Sequence, residues 1–166
     1  MKTKNIFFSL ISTLFLMVYP TIGMEFKPDT GAKYNLKSVS SSGYLDGRSK
    51  VGVEALVTDR DPYGDQFLQW KIRMVDGNYT LKSVSSGGYL DGRSKVGVGA
   101  LVTNRDPSGD KFLQWNIKRV DGHYALQSVS SGGYLDGRSK VGVEALVTNR
   151  EPAGDQFLQW DIKKGR

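Results

Sequence analysis

A phenol, a carboxylate and a guanidinium stand at alternate positions three times in this 166-residue chain: Tyr44, Asp46, Arg48; Tyr89, Asp91, Arg93; Tyr134, Asp136, Arg138. Further along each time comes a polar pair, Asp59-Arg60, Asn104-Arg105 or Asn149-Arg150. A carboxylate accepts hydrogen bonds, a guanidinium donates them in a fixed fork, and an exposed ring offers an apolar face. A pyranose presents vicinal hydroxyls and one apolar face, so such sets are candidate carbohydrate contacts. If Leu45 points into a core, strand alternation turns Tyr44, Asp46 and Arg48 outward together. A second reading stays open, in which Asp46 pairs with Arg48 or Arg60 and closes a hairpin. Asp-Gly is a turn former in its own right, and Tyr44 can serve as half-buried packing.

Catalytic chemistry has little to draw on. His123 is the one histidine and occurs in one copy only; the chain has no cysteine. No nucleophile elbow, phosphate-cradling loop or metal-ligand cluster is present. Each copy carries more than one carboxylate, the equipment of a glycosidase. Three near-identical copies nevertheless suit equivalent binding sites better than one asymmetric active site, so neither enzyme activity nor a cofactor is expected. Asp59 to Asp65 has acids at the first, third and seventh places and glycine at the sixth, like a calcium loop. Pro62 at the fourth place and Trp70 at the twelfth, where no ligand is available, argue for an ordinary turn and no metal.

The elements that must position these groups follow from an internal period. Tyr34, Tyr79 and Tyr124 are 45 residues apart, as are Trp70, Trp115 and Trp160. Residues 34–78 and 79–123 differ at ten of 45 positions, and the third unit runs over 124–166. Each unit reads as four short strands separated by Gly, Pro, Asp and Ser turns. In the first these are Tyr34–Val39, Tyr44–Arg48, Ala55–Arg60 and Gln69–Val75, with Leu68, Trp70 and Ile72 on one face. Nothing after residue 23 shows helical period. Three four-stranded units are too few for a propeller and lack solenoid caps, but they close into a barrel with a hairpin cap, an all-β trefoil. The tryptophans are then equivalent and buried.

The N-terminus reads differently. Lys2 and Lys4 precede an apolar run over 6–18 and small residues at 21 and 23, the layout of a secretory signal cleaved after Gly23. An uncleaved anchor helix is the alternative, though the run is short for a membrane span. Cleavage leaves 143 residues: a lead-in over 24–33 and one domain over 34–166, with 21 bases against 17 acids. A charge of +4 without a basic cluster gives no nucleic-acid footprint. Lacking cysteine, a secreted domain is held by its core alone. Asn78-Tyr79-Thr80 is a glycosylation sequon.

On "SGYLDGR" at 42–48, "GGYLDGR" at 87–93 and 132–138, and "FLQW" at 67–70, 112–115 and 157–160, the chain resembles the ricin-B-type lectins. These are β-trefoils marked by Gly-x-x-Leu-Asp and Gln-x-Trp in each lobe, and the resemblance spans all three units. It implies that Asp46, Asp91 and Asp136 accept hydrogen bonds from sugar hydroxyls. The chain departs from the pattern in three ways. Ser42 replaces the leading glycine, and Leu68, Leu113 and Leu158 stand two residues before each Trp where the family has Gln. The third-strand aromatic that floors the family's site is replaced by Asp59, Asn104 and Asn149; Tyr63 offers a ring in the first lobe, but its equivalents are Ser108 and Ala153.

The resulting expectation is a secreted, non-enzymatic, monomeric lectin with up to three equivalent sites for glycans or glycosylated surfaces. The alternative is an extracellular structural or protein-interaction trefoil, such as a coat component or protease inhibitor. Expressed with its first 23 residues, the protein is expected outside the cell, beginning near Met24 or Glu25. Intact-mass measurement of exported protein checks this; retention of residues 1–23 would contradict cleavage.

Overall fold

The computed structural model describes residues 26–165. The expected signal segment, residues 1–23, lies outside the described residues. Among the described residues no helix is long and apolar enough to cross a membrane. The first lobe contributes β1 (Tyr34–Ser38), β2 (Tyr44–Asp46), β3 (Val53–Glu54), β4 (Leu56–Thr58) and β5 (Trp70–Val75). The second contributes β6 (Asn78–Ser83), β7 (Tyr89–Asp91), β8 (Val98–Gly99), β9 (Leu101–Thr103) and β10 (Trp115–Val120). The third contributes β11 (His123–Ser128), β12 (Tyr134–Asp136), β13 (Val143–Glu144), β14 (Leu146–Thr148) and β15 (Trp160–Lys164). A single 3₁₀ turn precedes each final strand, at Gln66–Leu68, Lys111–Leu113 and Gln156–Leu158.

The long strands make the barrel. β5 pairs with β6 and β10 with β11, while β1 returns to pair with β15 from Tyr34↔Lys164 to Ser38↔Trp160. Within each lobe the barrel strands meet at one pair: Tyr34↔Trp70, Tyr79↔Trp115 or Tyr124↔Trp160. Closure removes the free edges that an open sheet would expose. The short strands make the cap. β2 pairs with β4, and each third segment reaches to a neighbouring lobe, β3 to β9, β8 to β14 and β13 to β4. This is the expected trefoil.

Two details differ from the sequence reading. The third strand is shorter than Ala55–Arg60, covering only β4, and a separate short strand, β3, precedes it with a break at Ala55 between them. The break has a cause, because Ala55, Ala100 and Ala145 donate their N–H groups to one another's carbonyls in a closed ring at 2.8–2.9 Å. All three are fully buried, and a methyl group is what a meeting point of three lobes accommodates. Leu68, read as the start of a strand face, lies in the 3₁₀ turn, yet it is buried as expected.

Trp70, Trp115 and Trp160 are fully buried. Each donates its indole N–H to the carbonyl of Leu45, Leu90 or Leu135 in the cap, at 2.9–3.0 Å. Gly47 lies against Trp70, where an added Cβ would meet Cζ2 at 3.1 Å and collide with the Ser83 side chain of the next lobe. The serines of the repeated string latch the seams: Ser41, Ser86 and Ser131 Oγ donate to the carbonyls of Gly137, Gly47 and Gly92 at 3.0–3.1 Å.

The lead-in belongs to the fold. Phe26 closes the open end of the barrel, with its ring edge-on to Tyr34, Tyr79 and Tyr124 at centroid distances of 5.4–5.9 Å. Tyr79 Oη donates to the Phe26 carbonyl at 2.5 Å, and Asp29 N–H donates to Tyr34 Oη at 2.7 Å. Asp29 also pairs with Lys164, a bond that raises the Lys164 pKa. The Asn78 sequon opens β6 with its Thr80 buried, so the folded chain withholds that threonine.

Replacing any one of the three tryptophans by Ala is expected to cost about 3–5 kcal/mol, a large share of a typical domain stability of about 5–15 kcal/mol. Phe26→Ala is expected to fall in the same range of about 3–5 kcal/mol, since its ring is the barrel's lower plug. Denaturant unfolding of each variant measures both. A Phe26→Ala protein as stable as the parent would show that the lead-in is dispensable.

Candidate functional site

Each lobe places its candidate residues where the β2-type strand ends and the β4-type strand passes into the following turn. Leu45 points into the core and Tyr44 lies half-buried at the surface, as alternation requires. Asp46 does not join Tyr44 on an outward face, and Arg48, half-buried like Tyr44, lies beyond the end of the strand. Asp46 is buried, and the strand stops there because Arg48 takes a left-handed φ of 61°. The Asp46 carboxylate is engaged at both oxygens: Oδ1 accepts the Arg48 N–H and Oδ2 accepts from Arg60 Nη2, each at 2.6 Å. The hairpin-closing arrangement is therefore present, with Arg48 contributing its backbone and Arg60 its side chain.

The cluster continues outward from Arg60. Its Nε lies 3.5 Å from Asp65 Oδ2, and its guanidinium sits over the Phe67 ring at 4.8 Å. Asp65 Oδ1 in turn accepts the Phe67 N–H and caps the 3₁₀ turn. The second lobe repeats this with Asp91, Arg105, Asp110 and Phe112, and the third with Asp136, Arg150, Asp155 and Phe157. Arg93 and Arg138 also adopt left-handed φ of 60° and donate their N–H groups to Asp91 and Asp136. Each arginine is thus held between two carboxylates and an aromatic face while its side chain stays 41–44 % exposed. The clamp is an oriented, half-exposed hydrogen-bond donor.

Among the other expected residues, Asp59, Asn104 and Asn149 are exposed beside the clamp arginines. Tyr44 and Tyr89 lie near lysine ammonium groups, Lys37 Nζ at 5.9 Å and Lys82 Nζ at 5.2 Å from the ring centroids. Burial, and then the nearby Glu151 carboxylate, raise the Tyr134 phenol above its ordinary pKa. Within the stretch that resembles a calcium loop, two of the three acids already serve protein donors, Asp61 Oδ1 holding Tyr63 N–H and Asp65 holding Phe67 and Arg60. Among the described residues no group of three or more His, Cys, Asp and Glu is placed to hold a metal. Arg60, Arg105 and Arg150, which the sequence places one residue after Asp59, Asn104 and Asn149, are the side chains that the buried aspartates hold.

Asp46→Ala is expected to destabilise the fold by about 1–3 kcal/mol, because it strands the Arg48 N–H and leaves Arg60 with Asp65 as its remaining carboxylate partner. Arg60→Ala is expected to cost less, about 1 kcal/mol or below, since its side chain keeps substantial contact with water. Urea unfolding of the two variants checks the order; a larger loss for Arg60→Ala would reverse this account of the clamp.

Comparison with known proteins adds the family. A model described as the ricin-type beta-trefoil lectin domain-like family matches residues 24–105 and again residues 66–147. No curated protein sequence matches the chain. Similar solved structures include a designed threefold-symmetric protein, ThreeFoil, with TM-score 0.68 and 24% identity, covering 78% of this chain and 96% of that one. A Macrolepiota procera ricin B-like lectin, solved in complex with lactose, has TM-score 0.66 and 19% identity over 83% of this chain and 99% of its own. An exo-beta-1,3-galactanase from Clostridium thermocellum has TM-score 0.69 and 22% identity over 84% of this chain but only 31% of its own. At such identities these likenesses concern the fold. The family-model match extends over most of the sequence and all three lobes, and the chain belongs to the ricin-type β-trefoil lectin domain-like family.

Proposed function

We propose that the protein is a secreted, non-enzymatic carbohydrate-binding module with up to three glycan sites, one at each Asp–Arg clamp. The observation that carries this reading is the threefold recurrence, on a lectin-family fold, of a guanidinium held in place yet open to solvent. In each site the arginine donates to sugar hydroxyls, and Asp59, Asn104 or Asn149 supplies a neighbouring polar group. Asp46, Asp91 and Asp136 act as positioning residues, because both oxygens of each are spent on orienting the arginine and the turn. Membership of the family and the lactose-bound Macrolepiota procera relative support the ligand class.

A protein-interaction trefoil is the second reading. It is favoured by one observation, the lack of an exposed ring in the turns that carry Ser108 and Ala153.

A shallow site of this kind is weak alone, on the order of 1 mM, or about −4 kcal/mol. Three linked sites raise apparent affinity by roughly 10²–10⁴ on a surface whose spacing suits them. The protein is therefore expected to bind polysaccharide or glycosylated surfaces well and free monosaccharide poorly. A glycan array on the folded domain measures the first, and the triple variant R60A/R105A/R150A locates it. The triple variant is expected to stay folded and lose surface binding by about tenfold or more, equivalent to at least about 1.4 kcal/mol. A parent protein that binds no glycan would sink the carbohydrate reading, and undiminished binding by the triple variant would move the sites elsewhere.

A further inference from the structure

The three lobes are close copies, so a difference between their surfaces is informative. Beside the first clamp, where β1 pairs with β15, lies a groove of about 310 Å³. Its working groups are the rings of Tyr44 and Tyr63, the carboxylates of Asp61 and Asp161, and the ammonium groups of Lys37 and Lys163. Its size is at the lower end for small-ligand sites. Tyr63 is 76 % exposed. A single exposed tyrosine means little by itself; what matters here is that it edges a groove holding donors and acceptors.

Register shows that the other two seams lack this combination. Lys37 faces Asp161 across the β1–β15 pair, whereas Lys82 faces Lys71 and Gln127 faces Asn116 at the equivalent places. The ring position of Tyr63 is Ser108 in the second lobe and Ala153 in the third. Thus the first seam has two carboxylates and an open aromatic face. Asp61 has carboxylate counterparts in Asp106 and Glu151, so what is particular to the first seam is Asp161 and the Tyr63 ring; the second has a lysine pair and no such ring, and the third has neutral amides and no such ring.

The groove's parts are also positioned. Asp61 Oδ1 holds the Tyr63 N–H at 2.9 Å, which fixes the turn that presents the ring. Asp161 Oδ1 is held by His123 Nδ1 at 2.8 Å. In the second and third lobes the same turn is tied down from the preceding lobe, Gly109 N–H donating to Asp76 and Gly154 N–H to Asp121 at 2.7 Å. The corresponding position before the first lobe is Gly31, which has no carboxylate to offer.

We infer that the three sites are not equivalent: the first extends into this seam groove, which takes one neutral hexopyranose residue stacked on Tyr63. The ring's apolar face lies on the phenol, and its hydroxyls donate to Asp61 and Asp161 and accept from Lys37 and Lys163. Hydroxyls both donate and accept, so they match a groove that presents both charges at short range. The inference rests on the carbohydrate reading above and assigns free-sugar binding to one place on the chain.

The test is an amide NMR titration of the folded domain with methyl β-galactoside, methyl α-glucoside, methyl N-acetyl-β-glucosaminide and lactose, for the parent, Tyr63→Phe and Tyr63→Ser. Tyr63→Ser installs the second lobe's residue at an exposed position, and an unchanged spectrum elsewhere certifies its fold. The expected result is saturable shifts at Lys37, Tyr44, Tyr63 and Asp161, kept by Tyr63→Phe and weakened about tenfold or more by Tyr63→Ser. Equal shifts around Arg60, Arg105 and Arg150 that Tyr63→Ser leaves within about twofold would overturn the groove while leaving the carbohydrate function standing. Absence of shifts with all four sugars, together with binding on a glycan array, would likewise overturn the groove alone. Absence on both would overturn both.

Discussion

The hydrogen bond from each buried indole to a leucine carbonyl is the contact on which the rest of the molecule depends. Trp70 begins a barrel strand, and Leu45 lies in the cap hairpin. The bond therefore joins the barrel and the cap in every lobe, and it satisfies a polar N–H that burial would otherwise leave unpaired. It also demands room. Gly47, Gly92 and Gly137 lack a Cβ where the Trp ring and a serine of the adjoining lobe pass. Leu, Gly and Trp are thus one requirement expressed at three places in each unit.

Repetition serves the seams as much as the surface. The serines, glycines and valines of the repeated string bridge neighbouring lobes, and the ring of alanine backbone bonds closes on the threefold axis. Every lobe must fit both of its neighbours, so the interlocking residues are common to all copies. Of the ten positions at which the first two units differ, nine are exposed or half-buried, and only Asn35 is buried. Chemistry that distinguishes the first lobe from the second is confined to these positions, Tyr63 among them.

The clamps show how a buried carboxylate can orient a side chain that stays open to solvent. Asp46 spends both oxygens inside the protein, and the outcome is a guanidinium fixed on Phe67 and turned partly to water. Long arginine side chains lose rotamer freedom when they bind, and a clamped one has lost it already. Each clamp thus presents an oriented donor, and the seam between the first and third lobes adds the Asp161 carboxylate, which the other two seams replace with Lys71 and Asn116.

Much of this was legible in the chain itself. The 45-residue period, the buried tryptophans and the turn chemistry were enough to specify a threefold all-β barrel with a cap, because period and alternation are local properties of sequence. Breaking the third strand at Ala55 was not legible, since the reason is two other alanines, 45 and 90 residues away. Nor was Phe26, which has no counterpart in the repeat and acquires its role only when three tyrosines converge on one axis. Spacing brought out Asp46 and Arg60 as possible partners, but whether the carboxylate faced water or the guanidinium depended on where the chain turned after β2. Pairing of the first strand with the last decided the groove. It sets Asp161 opposite Lys37, residues 124 positions apart, and no local pattern reports what a closing barrel brings together.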